Sequence, residues 1–347
     1  MIGSVIRNSS INTKMHAKMR GTLTEHDYER LTEMKSVPEV AEFLKNETRF
    51  GSVFGDISVE SIHRGQLEGC LRRLIMQDLQ SFLAFTGTSA KFFLSLFAMR
   101  EEISYIKLLL RLLHSGDRDE HGAALRLEGE FYNNIDFTAL ANAESIDSFI
   151  EMLKPTVYGK ALIGFRGNTE RQNLFEIELA LDSFYRRLVG SYMAKYLPKP
   201  EAETVSKTFD AECELADIMF IIRAKTYYKL DSEMIYPHIS IKNGGPGKNE
   251  LTAMIEAVDD AALKEAVRAT KYGELFEGTE IGAESRIERY ILKLHRKMFR
   301  RNPYSIEAIL YYIKLKETEI KNIIMITEGI RYGLEPEKIK GYLIPQN

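Results

Sequence analysis

The 347-residue sequence contains no tryptophan, only two cysteines and nine prolines, and its charges nearly cancel, with 47 basic residues against 50 acidic ones. Each shortage removes a class of protein. Cys70 and Cys213 have neither the spacing of a zinc cluster nor the number for a disulfide framework, which points to a reducing compartment. A formal net charge of −3 supplies no global basic footprint for DNA or RNA. Long apolar runs are missing too. The most apolar stretch, Leu79 to Met99, is interrupted by Gln80, Thr86, Thr88, Ser89 and Lys91, whereas a membrane-spanning helix needs about 20 predominantly apolar residues. It reads as core helix with a turn at Gly87. Polar residues occupy the opening segment where a secretory signal would be apolar, so a cytoplasmic protein is expected.

What is present favours helices. Hydrophobic residues make up 44% and charged residues 28%, a globular balance. Good helix formers such as Leu, Ala, Glu, Lys and Arg are plentiful. The length suffices for two or three domains with their own cores.

Internal similarity organises the chain. Three segments share a short helix, a small polar turn, a second amphipathic helix and a closing Thr-x-aromatic-Gly. The closures are Thr48-Arg49-Phe50-Gly51, Thr156-Val157-Tyr158-Gly159 and Thr270-Lys271-Tyr272-Gly273, which lie 108 and 114 residues apart. The glycine is expected to stop the helix in a left-handed conformation, and the aromatic to fold back on the apolar face. A second motif repeats in step. Glu102, Glu214 and Glu319 each lead an apolar stripe: Ile103, Ile106, Leu109 and Leu110 match Leu215, Ile218, Ile221 and Ile222, then Ile320, Ile323, Ile326 and Thr327. That spacing buries one face of a helix. Two motifs with nearly the same period make three diverged copies of one unit, with expected boundaries at 1–117, 118–238 and 239–347. Breakers between units are His114 to Gly122 and Pro237 to Gly247, while Leu197-Pro198-Lys199-Pro200 and Arg301-Asn302-Pro303 break helices within units. No alternating run supports a sheet; at most, Ile235 to Ile241 is briefly extended.

Candidate chemistry does not accumulate. Asn243-Gly244-Gly245-Pro246-Gly247-Lys248-Asn249 fails the phosphate-loop pattern, because Lys242 stands at the first glycine and Asn249 replaces the magnesium-binding hydroxyl. It reads as an interdomain loop. The histidines at 16, 26, 63, 114, 121, 238 and 295 lack the i, i+4 spacing that would put two on one helical face for zinc, and a solvated role is expected for His114 and His121. The cysteines read as small buried hydrophobes. Lys293-Leu-His-Arg296-Lys297-Met-Phe-Arg300-Arg301 reads first as a solvated face beside acidic neighbours such as Glu288, and second as a contact for an acidic partner or headgroups. Glu102, Glu214 and Glu319 are expected to anchor their helices locally. No catalytic, cofactor-binding or metal-ligating residue is assigned, and no cofactor is expected.

The stretch from Lys314 through Glu317, Glu319, Asn322 and Glu328 to Ile330 resembles the closing signature of a component of V-type and A-type rotary ATPases, the one termed C in prokaryotes and d in eukaryotes. Arg20-Gly-Thr-Leu-Thr, Asp27-Tyr28, Tyr236-Pro237-His238 and Tyr342-Leu343-Ile344-Pro345 are also similar to that family, over essentially the whole length. The third unit departs from the other two, with Thr327 and Glu328 where they have Leu110-Arg111 and Ile222-Arg223. The resemblance implies an all-α funnel of three helical domains around a pseudo-threefold axis. It implies a non-catalytic central-stalk subunit, peripheral on the cytoplasmic face of the membrane. Its expected partners are the membrane rotor ring and the central shaft, a coiled coil with an associated small subunit. The alternative is a helical scaffold binding peptides or partner helices. Stacked repeats of that kind have periods of about 20–50 residues, whereas the closures here are 108 and 114 residues apart.

Overall fold

A computed structural model describes residues 12–55, 57–116, 135–167, 174–239 and 247–346, and all regular structure among them is helical. Helix α1 covers residues 12–19. Two short helices follow, α2 (Glu25–Glu33) and α3 (Val37–Glu47), then a 3-10 turn at Arg49–Val53 and two long helices, α4 (Arg64–Leu83) and α5 (Thr88–Ser115). The same order recurs as α6 (Phe137–Ala141), α7 (Ile146–Leu153), the short α8 (Gly159–Leu162) with 3-10 turn Ile163–Phe165, α9 (Leu174–Tyr196) and α10 (Lys199–Thr226). After α11 (Ser232–Ile235) it recurs as α12 (Lys248–Ile255), α13 (Asp260–Arg268), 3-10 turn Gly273–Phe276, α14 (Glu280–Arg301) and α15 (Glu307–Arg331), and α16 (Pro336–Tyr342) ends the fold.

Short polar side chains set the helix starts. Thr24 and Asp27 close a reciprocal capping box on α2, Ser145 and Ser148 do so on α7, and Asp259 caps α13 by accepting the Ala262 N–H. Such caps satisfy amides that have no partner inside the helix. The long pairs are separated where the sequence carries breakers, at Gly87, at Pro198 and at Asn302-Pro303.

Packing joins elements across the segments. The second long helix of each segment lies against the first long helix of the next: α5 on α9, α10 on α14, and α15 back on α4. The short helices follow the same rule, since α6 packs on α5, α12 and α13 on α10, and α2 and α3 on α15. One apolar core runs from Met15 to Val205 and takes in residues 306–339. A second, built from Leu215, Ile218, Ile221, Met254, Ile255 and Ile291 among others, joins α10 to α12, α13 and α14.

Three local expectations change. Ile235 to His238 is helical, not extended, while Ile239 has extended backbone, and residues 240–246, like most of His114 to Gly122, lie outside the described residues. His114 sits in the last turn of α5. The closure glycines are not left-handed, for that conformation is found at Gly116, Gly247, Gly333 and others but not at Gly51, Gly159 or Gly273. They are glycines because the backbone touches the preceding helix end. A Cβ would fall 2.6 Å from the Lys154 carbonyl oxygen at Gly159 and 2.5 Å from that of Arg268 at Gly273, and Gly51 is equally crowded against Lys45. No side chain fits there.

Candidate functional site: seams and a charged junction of long helices

The closing threonines act alike, Thr48 reaching the carbonyl four residues back and Thr156 and Thr270 that three residues back. Thr48, Thr156 and Thr270 each donate to a carbonyl of the preceding turn, at 2.6, 2.6 and 2.7 Å, and accept the amide of the following aromatic. This fixes the aromatic inward, and Phe50, Tyr158 and Tyr272 are all buried. Tyr158 then donates to Glu102 of α5 at 2.5 Å, and Tyr272 to Glu214 of α10 at 2.8 Å. Phe50 has no hydroxyl. In its seam the Lys316 ammonium lies 5.3 Å from the Phe50 ring centroid and pairs with Glu319, which also accepts the Leu23 N–H at 2.5 Å. The three repeated glutamates are therefore not purely local anchors. Each receives a group from the sequence segment that packs on its helix.

A second set of pairs lies further along the same seams. Arg111 meets Glu178 of α9 at 2.6 Å, and Arg223 meets Glu284 of α14. In the seam between α15 and α4 the polarity is reversed, with Glu328 against Arg64 at 3.0 Å. The departure at Glu328 is thus matched by its partner.

Two residues before each repeated glutamate stand Arg100, Glu212 and Glu317, and these gather in a polar junction of α5, α10, α14 and α15. Arg100 donates to Glu317. Lys314 lies 3.0 Å from Glu288, 3.8 Å from Glu317 and 3.9 Å from Glu212. His295 is enclosed by Glu307 at 2.6 Å and Glu212 at 3.1 Å. Burial opposes the imidazole's charge, but its hydrogen bonds to Glu212 and Glu307 outweigh it and push the ring up to about 9. Burial also works against the Glu212 carboxylate, yet Lys314, His295 and Arg100 hold it down at about 2. For Glu288, Lys314 and Lys321 overcome burial in the same way, again to about 2. Burial raises Glu307 despite the neighbouring His295. Beyond the junction, Asp78 of α4 receives Lys18, Arg49 and the Tyr312 hydroxyl of α15.

These charges face opposite charges from other helices, so what they do chemically is fix which helix lies beside which. Removing one member of such a pair strands a buried charge, at a cost of about 3–5 kcal/mol. Among the described residues no group of three or more His, Cys, Asp or Glu side chains is placed to hold a metal ion. None of the described helices is long and apolar enough to cross a membrane.

Sequence reasoning placed His295 among scattered histidines, but it is turned inward. The available signal was its spacing from Ile291, Leu292 and Met298, all buried on one face. Glu288 is engaged by Lys314 and Lys321 of α15, not by the basic run, whose Lys293, Lys297, Arg300 and Arg301 point outward. Cys70 is buried and Cys213 partly so, and burial pushes the Cys213 thiol up to about 12.

A chain whose described residues carry only helical regular structure, whose long helices are joined by matched seams, and whose sequence carries the signature at 314–330, falls in a class of rotary-motor subunits. The family described as ATP synthase (C/AC39) subunit matches residues 11–342, and the chain belongs to it. It is similar to the C subunit of the A-type ATP synthase of Methanocaldococcus jannaschii, with 22% identity over 96% of this chain and 85% of the relative. The protein of the same name from Methanosarcina barkeri is 25% identical over 96% and 91%, and that from Halorubrum lacusprofundi 25% identical over 94% of each.

Proposed function

We propose that this rotary ATPase subunit is the non-catalytic socket of the central stalk, coupling the rotating shaft to the membrane ion-translocating ring from the cytoplasmic face. Three diverged units, 1–117, 118–238 and 239–347, surround a pseudo-threefold axis as a funnel. The single observation carrying this reading is the closure of α15 on α4 by the same kind of seam that joins α5 to α9 and α10 to α14. A body closed in this way resists opening under torque, because separating any one pair strains the other two. The units of sequence and the packed bundles are offset. Each bundle takes its second long helix from one unit and its short helices and first long helix from the next.

The partners under this reading are the ring subunits and the coiled-coil shaft with its small associated subunit. The test is a complex assembled without this chain, assayed for ATP hydrolysis and ion transport together. Hydrolysis should persist while transport is lost, and the purified chain should bind shaft and ring. An intact complex that lacks the chain and still pumps would overturn the reading.

A further inference from the structure

The turns between successive long helices, 84–87, 197–198 and 302–306, form a basic and aromatic surface. Asn12 of α1 donates to the Pro303 carbonyl. Lys14 reaches from the same helix to the Ser81 carbonyl at 3.1 Å and lies 4.2 Å from the Phe85 ring centroid. Phe92, in the first turns of α5, stacks on Tyr196 at the end of α9, centroids 5.1 Å apart, and Lys195 lies 5.0 Å from that ring. The three turns are thereby tied into one surface. Phe85 is 51% exposed, Phe92 40% and Tyr304 38%.

The charge here departs from that of the chain as a whole. Lys91, Lys195, Lys297, Arg300 and Arg301 are exposed, and among the described residues no acidic side chain forms an ion pair with them. In segments 12–19, 81–92, 191–203 and 293–304 the only acidic residues are Glu201 and Glu203. In a protein of net charge −3 such a bias marks a surface for an anionic partner. Aromatic rings sit among the cations. Tyrosine rings such as Tyr196 and Tyr304 suit the headgroup level of a bilayer, with an apolar body and a hydroxyl for water, while Phe85 and Phe92 add apolar surface, and lysines and arginines beside them meet lipid phosphates.

We propose that this surface binds the phosphates of anionic phospholipid headgroups, holding the protein against the bilayer surface. The inference goes beyond the coupling role and fails separately from it, since lipid binding is read on the isolated full-length chain and coupling on the complex. The experiment is co-sedimentation with vesicles of phosphatidylcholine alone or with phosphatidylglycerol added, across a salt series. Binding should require the anionic lipid and weaken with salt. The K297E/R300E/R301E variant should lose affinity by on the order of 100-fold, at about fivefold per cation removed. The K154E/K160E/K338E variant changes net charge equally at exposed positions elsewhere and should bind like the unaltered chain. Helical content by circular dichroism checks that both fold. The proposal is overturned if the unaltered chain ignores anionic vesicles, if both variants lose binding alike, or if K297E/R300E/R301E binds anionic vesicles like the unaltered chain.

Discussion

Tyr272 donates its phenolic hydrogen to Glu214 at 2.8 Å across 58 residues of sequence, joining the closure of one segment to the stripe of the segment before it. Tyr158 and Glu102 repeat the relationship at 2.5 Å. The two pairs differ in surroundings. Glu102 is wholly buried, whereas Glu214 is 24% exposed and also holds Lys271.

That difference orders two substitutions. Tyr158→Phe leaves a buried carboxylate short of a donor, and is expected to lower stability by about 2–3 kcal/mol. Tyr272→Phe leaves Glu214 with Lys271 and some water, and is expected to cost about 1 kcal/mol. Urea unfolding of the three chains measures both, and equal losses would contradict the role assigned to Glu102.

The reversed pair Arg64–Glu328 makes the closing seam electrostatically distinct from the other two. Glu328→Arg sets like charges together, and Arg64→Glu in the same chain restores the pairing in the polarity of Arg111–Glu178. For partly exposed pairs the coupling is about 0.5–1 kcal/mol. Arg64 also meets Glu68 at 3.4 Å and Glu328 meets Arg331 at 3.1 Å, so a double-mutant cycle in thermal melts should show each single change destabilising and the double change recovering part of the loss. Additive losses would mean that the pair contributes nothing to closure.

The helices and their breakers were legible because they depend on local spacing: an apolar stripe at 103, 106, 109 and 110 requires only its own helix. The partner of each stripe glutamate was not legible, since nothing local to Glu214 points to a hydroxyl at 272. The closure glycines were visible by identity but misread in mechanism. A left-handed turn and a close backbone approach both demand glycine, and only the path of the chain past Lys154 and Arg268 distinguishes them. His295 was hidden by its basic neighbours, although its position with Ile291, Leu292 and Met298 already put it on the buried face.

The close approach at Gly159 predicts an asymmetric pair of alanine substitutions. Gly159→Ala drives a Cβ against the Lys154 backbone, where nothing flexible gives way, and should destabilise by about 1–3 kcal/mol. Gly190 lies inside α9 with open space where a Cβ would be, so Gly190→Ala should stabilise by about 1 kcal/mol through helix propensity. Opposite shifts in melting temperature are expected. A neutral Gly159→Ala would remove the steric account of the Thr-x-aromatic-Gly closure.

The enclosure of His295 makes stability depend on alkaline pH. In the folded chain the imidazole is pushed up to about 9 from an ordinary 6.5, so the folded state binds the proton more tightly than the unfolded one. The stabilisation is therefore complete below pH 6.5 and is lost as the pH rises through about 9. As the proton leaves, Glu212 and Glu307 lose the cation between them, and the junction of α10, α14 and α15 loosens. Glu212 and Glu288, held at about 2, work in the other direction, their contribution disappearing as the pH falls through the acid range. His295→Gln keeps hydrogen-bonding capacity but has no titrating proton. Melting temperatures of the two chains should differ most at and below about pH 6.5, and converge as the pH rises through about 9. A constant gap across that range would show that the histidine acts through packing and not through its charge.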